Sequence, residues 1–356
     1  MSDCKINTET LIAVLSKMLD TQVIRADYKA TQLHGGTVGN VVLLKGTAET
    51  SDKNTLPFNV VLKITKKWER YADPDSWRRE YDLYTSNLGA FFLDSMRWPI
   101  CYHMEIDDGE TRLWMEFIEG TTGLDLTGEM YERAAEELGR FQGKLYAQKP
   151  SELQNITNLS GVDAMEKFYR HYKSWNVVYD YVRSDTCEIP KHLCDMIIAA
   201  DENADKMFRL IEELPVVFCH RDFWVTNIFH CADADVSDRS KNERSASIML
   251  IDWDTTGWGY LGEDIVSLIA DEADVDHMVE YYQRCVTAYC SGFSEYANIS
   301  YISNIYIRER IILHFGYRLI EWYLNAETPE SKQLHLDTLQ KIYDMEACDE
   351  KDEKTS

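Results

Sequence analysis

The sequence contains no long hydrophobic run, and only 7 of its 356 residues are proline. No apolar stretch approaches the roughly 20 residues that a helix needs to cross a bilayer, so we predict no membrane partner. Residues 1–15 carry acidic side chains and lack the basic leader and small-residue cleavage site of a signal peptide. They predict the start of a helix instead.

Paired cysteine motifs are also missing. The nine cysteines include no Cys-x-x-Cys pair and no histidine at a matching spacing, which argues against a zinc site. Their odd number and scattered positions disfavour a disulfide framework. The pattern favours free thiols in a reducing environment, so we predict a cytoplasmic protein.

Positive charge is scarce in this chain. There are 37 Lys and Arg residues against 61 Asp and Glu residues, which gives a formal net charge of −24. Nucleic acid and anionic membranes require a basic surface, so we predict neither as a partner. The charge is easier to reconcile with a cationic or neutral small-molecule substrate, although acidity that serves only solubility is the alternative. The composition is otherwise that of a soluble enzyme, and its length favours two lobes.

The first third of the chain has the pattern of a small sheet. A glycine-rich turn at residues 34–40 leads into a strand that starts at residues 41–44. A second strand is predicted over residues 58–65, where side chains alternate with Leu62 on one face and Lys63 on the other. Lys63 therefore points away from one apolar layer and can face a cleft.

A helix is predicted over residues 76–92, where aromatic and leucine side chains recur at helical spacing after the N-cap candidate Ser76. Glu80 falls on the flank of that apolar stripe. A carboxylate that leans inward requires a cationic partner, because an unpaired buried charge is costly. Lys63 is the candidate, so we predict a Lys63–Glu80 ion pair.

A strand at residues 111–118 and the polar linker 119–123 mark the predicted boundary between two lobes. We place a nucleotide-binding lobe at residues 1–118, a catalytic and substrate-binding lobe at residues 119–347, and a disordered acidic tail at residues 348–356. Helices dominate the second lobe, and the aromatic side chains of its last stretch, from Tyr301 to Tyr323, are expected to be helix core, with a substrate-binding role as the alternative. The predicted helices are residues 131–146, 164–181, 191–213, 276–289 and 302–324.

Two short apolar runs, residues 216–219 and 248–251, each lead directly into an acidic string. The strings are Cys-His-Arg-Asp-Phe-Trp-Val-Thr-Asn at residues 219–227 and Ile-Asp-Trp-Asp at residues 251–254. Between them, residues 232–247 are polar and aperiodic, which predicts an exposed loop. Because apolar residues precede it, His220 is interpreted as a buried hydrogen-bonding scaffold.

These strings contain the side chains that phosphoryl transfer requires. Asp222 can orient an acceptor hydroxyl and take its proton late, because positioning matters more than base strength in a loosely bonded transition state. Asn227 and Asp252 offer oxygen ligands for Mg²⁺ on the nucleotide phosphates. Lys63, held by Glu80, would contact the α and β phosphates. Three glycines would let backbone N–H groups approach the phosphates: Gly35, Gly36 and Gly39.

The order of these features resembles the aminoglycoside phosphotransferase and choline kinase-like family. The order is a glycine turn, a strand lysine, a helix glutamate, a hinge, His-x-Asp-x-x-x-x-Asn and Ile-Asp-Trp, over roughly two thirds of the chain. The resemblance implies an α+β, bilobal protein kinase-like fold, with a small antiparallel sheet and one main helix in the first lobe and a larger helical second lobe. It implies ATP, with GTP as the alternative, and Mg²⁺ as cofactors.

The resemblance also implies roles for individual residues. Asp222 matches the catalytic base, Asn227 and Asp252 match the Mg²⁺ ligands, and Lys63 and Glu80 match the ion pair of the family. Glu116 and Ile118, which follow Met115, match the hinge that binds the purine through backbone atoms.

Departures from the family pattern leave alternatives open. Arg221 stands where small-molecule kinases often carry glycine, and His-Arg-Asp is the protein kinase spelling. Glu263 and Asp264 follow Asp252 so closely that no activation segment for docking peptides fits between them. Trp224 gives the string a likeness to fructosamine kinases. A pseudokinase-like module that binds nucleotide without turnover is the alternative from another class.

The expected substrate is a small molecule with a hydroxyl acceptor, such as an amino sugar, an aminoglycoside-like antibiotic or an amino alcohol. The residues predicted to line its pocket are Asp254, Trp224, Glu263 and Glu321. The acids among them are also suited to capping helices or pairing with arginines, and Asp264 is interpreted as a structural capping acid. The sequence predicts no oligomeric state.

Overall fold

The computed structural model describes residues 6–33, 39–68, 73, 76–93, 95–171, 175–231, 248–271 and 274–345. The predictions for Gly35, Gly36, the loop at residues 232–247 and the tail at residues 348–356 lie outside the described residues. Within the described residues, every helix is too short or too polar to cross a bilayer.

Five strands form one antiparallel sheet in the first third of the chain, in the spatial order β1-β2-β3-β6-β5. They are β1 (Val23–Gln32), β2 (Gly39–Thr50), β3 (Thr55–Lys66), β5 (Cys101–Asp107) and β6 (Glu110–Glu116); β4 (Met96–Arg97) belongs to another sheet. The sequence pattern does not predict β1, because all but the first of its residues are exposed or half-buried. Apolar alternation appears only where one face of a strand is buried.

The predicted alternation of β3 is confirmed by what lies on its two faces. Helix α1 (Thr8–Met18), capped by the Asn7 side chain, buries Leu11 and Leu15 in the same apolar cluster as Leu62. Lys63 points to the opposite face, where helix α2 (Ser76–Thr85) carries Glu80. The sheet therefore separates this apolar cluster from the side that carries the Lys63–Glu80 pair.

Helices form most of the rest of the chain around one large apolar core. The central pair is α3 (Gly128–Gln148) and α10 (Met278–Ser294), and glycine makes their close approach possible. A Cβ on Gly139 would lie 2.2 Å from the carbonyl oxygen of Tyr289. The remaining helices are α4 (Ser151–Gln154), α5 (Ala164–His171), α6 (Trp175–Val182), α7 (Lys191–Glu202), α8 (Ala204–Glu212), α9 (Glu263–Ala270), α11 (Ile307–Ile311), α12 (Tyr317–Asn325) and α13 (Pro329–Asp344).

Some predicted helices of this region are wrong in extent. The stretch 164–181 contains α5 and α6, and the stretch 191–213 contains α7 and α8. The second of these breaks at Asn203, which has φ −104° and ψ 4° and whose side chain donates to the carbonyl of Ala199 at 2.8 Å. Asparagine competes for backbone hydrogen bonds in this way, which ends a helix although the apolar pattern continues.

The last predicted helix, residues 302–324, begins later and is irregular. Tyr306 has φ +57°, so α11 starts only at Ile307, and a π-helical turn (Ile312–Gly316) separates it from α12. The expectation that its aromatic residues are core is wrong for Tyr301 and Trp322, which are 71% and 43% exposed. Phe315, Tyr317 and Tyr323 are buried as expected.

Two small sheets place the acidic strings. Strand β7 (Val216–Cys219) pairs antiparallel with β10 (Gly257–Tyr260), and it ends directly before His220. Strand β9 (Ile248–Leu250) lies between β4, to which it is parallel, and β8 (Ile228–His230), to which it is antiparallel. Because β9 ends two residues before Asp252, both strings start from buried strands.

Candidate active site

The loop that carries Asp222 is held by backbone contacts to Asp264. The N–H groups of His220 and Arg221 donate to the two carboxylate oxygens of Asp264 at 2.9 and 2.7 Å. Asp264 lies in the first turn of α9, and its burial raises its pKa to about 7 although the two backbone hydrogen bonds oppose that shift. Asp264 is structural, as predicted, but it anchors this loop where a helix cap was expected.

Arg221 gives the loop its bend. Its backbone has φ +66°, in the left-handed region that favours glycine, which accounts for glycine as the residue expected there. Its guanidinium offsets this strain: Nε lies 3.0 Å from Glu263 Oε1, and Nη2 donates to the carbonyl of Gly161 at 2.7 Å. Glu263 is thus the buried partner of Arg221.

His220 is a buried scaffold, as its apolar neighbours predicted. Its Nε2 lies 3.0 Å from the carbonyl oxygen of Ile251, and the N–H of Asp222 donates to its Nδ1 at 3.3 Å. A carbonyl only accepts, so Nε2 carries a proton, whereas Nδ1 accepts from a backbone N–H and carries none. The ring is therefore neutral. Burial lowers the pKa of His220 to about 4, and the ring joins the two acidic strings.

Asp222 and Asn227 form a direct pair. Asn227 Nδ2 donates to Asp222 Oδ2 and to the carbonyl oxygen of Asp222, both at 2.9 Å. This orientation leaves the amide oxygen of Asn227 as its remaining polar atom. Burial, followed by the nearby carboxylates of Asp252 and Asp254, raises the pKa of Asp222 to about 7. The Asp222 carboxylate is therefore oriented by an amide and lies close to further negative charge.

Lys63 joins the small sheet to the second acidic string. Its Nζ lies 2.7 Å from Glu80 Oε2 and 2.7 Å from Asp252 Oδ1. Burial alone would lower the pKa of Lys63, but the carboxylates of Asp252, Glu80 and Asp254 together raise it above its ordinary value. The Lys63–Glu80 ion pair that the strand and helix patterns predict is present.

Asp252 has φ +63°, so it too adopts the left-handed conformation. A residue held in this sparsely populated region requires contacts that enforce it, and such residues cluster at functional sites. The turn after Asp252 is held by Thr255, whose hydroxyl donates to the carbonyl of His220 at 3.0 Å, and by Arg79, which donates to the carbonyl of Asp254 at 2.7 Å. The contact from Thr255 to His220 therefore joins the turn after the second string to the first string.

The donor atoms fit a magnesium ion that is shared with a nucleotide. Among the described residues, no group of three or more His, Cys, Asp or Glu side chains is placed to hold a metal ion. Asn227 and Asp252 supply one amide oxygen and one carboxylate, which are hard oxygen ligands. Mg²⁺ commonly takes only one or two protein ligands when phosphates and water complete its shell.

The predicted hinge residues lie at and just beyond the end of β6. The N–H of Glu116 donates to the carbonyl of Ile100 at 2.9 Å. Its carboxylate accepts hydrogen bonds from Nη1 and Nη2 of Arg97 at 2.6 and 2.9 Å. A purine contact by Glu116 would therefore use its carbonyl oxygen. Ile118 follows and is half-buried, and Met115 is buried. Gly39, the first residue of β2, is close enough to Lys63 that an added Cβ would lie 3.9 Å from Lys63 Cε.

The four residues proposed for substrate binding lie in different surroundings. Asp254 is buried beside the site, as its influence on Lys63 and Asp222 shows. Trp224 follows Asp222 and packs against the large core, whereas Glu263 is occupied by Arg221. Glu321 lies on α12, which packs against α13 and α6.

Sequence reasoning missed Arg79, which is fully buried next to Glu80. Helical spacing gives the opposite expectation for Arg79, because it falls about 160–200° from the apolar stripe, so its burial comes from contacts outside α2.

The family model for the phosphotransferase enzyme family, APH, matches residues 79–299, more than half of the 356 residues. The chain belongs to the APH family. The match includes Glu80 and both acidic strings and confirms the predicted family. Comparison with curated protein sequences finds no match.

Solved structures show the fold of this APH-family chain. An aminoglycoside phosphotransferase from Alicyclobacillus acidocaldarius is similar with a TM-score of 0.57 and 12% identity, covering 100% of this chain and 98% of that one. The GDP complex of aminoglycoside 2'-phosphotransferase-IIIa has a TM-score of 0.52 and 13% identity, and the match covers 95% of this chain and 98% of that one. A microcompartment-associated aminopropanol kinase has a TM-score of 0.50 and 13% identity, and the match covers 94% of this chain and 95% of that one. The protein kinase-like α+β fold is therefore confirmed.

Proposed function

We propose that this protein transfers the γ-phosphoryl group of ATP to a hydroxyl group of a small molecule. The observation that carries the proposal is the contact of Lys63 with both Glu80 and Asp252, beside an Asp222 carboxylate oriented by Asn227. Membership of a phosphotransferase family supports the same reaction class.

Each side chain has one role in this proposal. Nucleotide and Mg²⁺, when bound, supply the phosphoryl group and neutralise its charge. Asn227 Oδ1 and the Asp252 carboxylate would hold the metal, and Lys63 would contact the α and β phosphates. Asp222 accepts a hydrogen bond from the acceptor hydroxyl and takes its proton late in the transfer. Gly39 and the hinge residues Glu116 and Ile118 contact the nucleotide through backbone atoms.

The acceptor is an amino alcohol, an amino sugar or an aminoglycoside-like molecule. A net charge of −24 and the buried carboxylate of Asp254 beside Asp222 favour a cationic acceptor. Two of the structures with this fold are named for aminoglycosides and one for aminopropanol, which supports the same class. Trp224 is a candidate contact next to the catalytic loop. Glu321 is a second candidate, on α12.

A nucleotide-consumption screen tests this function. The wild type is incubated with Mg·ATP and with aminoglycosides, amino alcohols and neutral sugars, and Asp222→Ala serves as the blank. Consumption that depends on one acceptor class and on Asp222 supports the proposal. Nucleotide binding without consumption across all classes would favour the module without turnover.

A further inference from the structure

Arg79 is the most completely buried charged residue next to the site, with 0% exposure. All hydrogen bonds of its guanidinium group reach residues outside α2. Nη1 and Nη2 both contact the carboxylate of Asp73, Nε donates to the carbonyl of Asn158 at 2.8 Å, and Nη1 donates to the carbonyl of Asp254 at 2.7 Å. A buried guanidinium is costly unless its donors are satisfied, so the position of α2 depends on these partners.

The partners of Arg79 are themselves connected to β10, the strand that follows the second acidic string. Ser160 donates to Asp73 Oδ2 at 2.7 Å, and its backbone bonds to the N–H of Trp258 at 2.9 Å. Asn158 Nδ2 donates to Asp82 at 2.9 Å, on the next turn of α2. Residues 158–160 therefore link α2 to β10 from one side, while Arg79 reaches the turn at Asp254 directly.

Together these contacts close a ring of interactions. Asp252 contacts Lys63, Lys63 contacts Glu80, Glu80 is adjacent to Arg79 on α2, and Arg79 returns to the backbone of Asp254. A swing of α2 that separated Glu80 from Lys63 would also break the buried hydrogen bonds of Arg79. The ring thus sets the position of the carboxylate of Asp252 relative to Lys63.

We propose that Arg79 is a positioning residue that clamps α2 to the turn after Asp252. It thereby keeps Lys63, Glu80 and Asp252 in the relative positions that binding of a magnesium-bound nucleotide requires. The inference rests on the proposed function for its ligand.

The test compares four variants. Arg79→Lys keeps the charge but not the planar set of donors, Arg79→Met removes both, and Asp73→Asn weakens the clamp from the opposite side. The control is Arg25→Met, because Arg25 is 69% exposed and pairs with Asp27 on β1, away from α2. If Arg79→Met does not fold, Arg79→Lys and Asp73→Asn decide the question.

Two measurements are made on each full-length variant. The first is hydrogen exchange of the α2 amides in nucleotide-free protein, and the second is the dissociation constant of a non-hydrolysable ATP analogue with and without Mg²⁺. We expect faster α2 exchange and a loss of about 10-fold in the affinity gained from Mg²⁺, with metal-free affinity changed by less than about 3-fold. Arg25→Met should match the wild type in both.

The outcomes separate this proposal from the proposed function. A wild type that gains no affinity from Mg²⁺ would overturn the proposed function, while the exchange data would still show whether Arg79 holds α2. Arg79 variants that keep the full Mg²⁺ gain and unchanged α2 exchange, and lose only thermal stability, would overturn the clamp.

Discussion

Arg221 Nε lies 3.0 Å from Glu263 Oε1, and the two side chains are only 8% and 9% exposed. The pair joins the loop that carries Asp222 to the first turn of α9. It also accounts for an arginine in a left-handed conformation where glycine would be less strained. The contacts of the guanidinium stabilise the bend that glycine would otherwise permit.

Replacing Arg221 with Ala should lower the free energy of unfolding by about 3–5 kcal/mol, because it leaves the buried Glu263 carboxylate unpaired. Arg221→Ala/Glu263→Gln should recover part of that loss, so the two substitutions should not be additive. Urea unfolding of the single and double variants measures the effect. Arg25→Ala is the control, since its pair with Asp27 is exposed; additive single effects would contradict the pairing.

His220 should make the protein less stable at acidic pH. Its folded pKa, about 4, lies below its ordinary value of 6.5, so the unfolded state takes up the proton first as pH falls. Stability is therefore lost between pH 6.5 and pH 4, by about 3 kcal/mol for this group. Protonation of Nδ1 would break the hydrogen bond from the N–H of Asp222.

The substitution His220→Gln isolates this contribution. The variant should be less stable than the wild type at pH 7, and the difference should shrink as pH approaches 4. Unfolding free energies measured at both pH values provide the comparison, which cancels the titration of all other groups. A difference that is constant with pH would mean that His220 is not held neutral.

Lys63→Met should leave Glu80 and Asp252 facing each other without a cation. We expect a loss of about 3 kcal/mol at pH 7, smaller at lower pH because protonation of one carboxylate removes the uncompensated charge. Lys63→Met/Glu80→Gln should restore part of the stability but not nucleotide affinity. Thermal unfolding and nucleotide titration distinguish the two effects, and equal recovery of both would contradict the phosphate role of Lys63.

Gly139→Ala should be destabilising although alanine favours helix by about 1 kcal/mol over glycine. The added Cβ would lie 2.2 Å from the carbonyl oxygen of Tyr289, so α3 and α10 would have to separate. We expect a net loss of about 1–3 kcal/mol, as for other overpacked cores. Urea unfolding gives the sign, and a gain in stability would show that the helices pack less closely.

Local patterns predict the central part of this site. Alternation in β3 places Lys63 on the cleft side, and helical spacing places Glu80 on the inner flank of α2. The acidic strings identify Asp222, Asn227 and Asp252 because each follows a buried strand. These inferences need only neighbours in sequence, which is why the Lys63–Glu80 pair is predictable.

Residues whose roles depend on distant partners are not predictable in this way. Arg79 differs from Arg78 in its partners, and two of these acceptors, the carbonyls of Asn158 and Asp254, are 79 and 175 positions away in the chain. The sequence makes Glu263 a candidate substrate contact, whereas in the structure its carboxylate pairs with Arg221. Strand β1 shows no apolar alternation in the sequence because its side chains are largely exposed, so the sequence does not predict it.

The most direct test of the account is a crystal structure with Mg²⁺ and a non-hydrolysable ATP analogue. The account predicts a metal ion about 2.1 Å from Asn227 Oδ1 and from the Asp252 carboxylate, with Lys63 Nζ moved from Asp252 to the phosphates. Asp222 should remain bonded to Asn227 and face the terminal phosphate. A nucleotide bound elsewhere, or a metal held without Asn227 and Asp252, would contradict it.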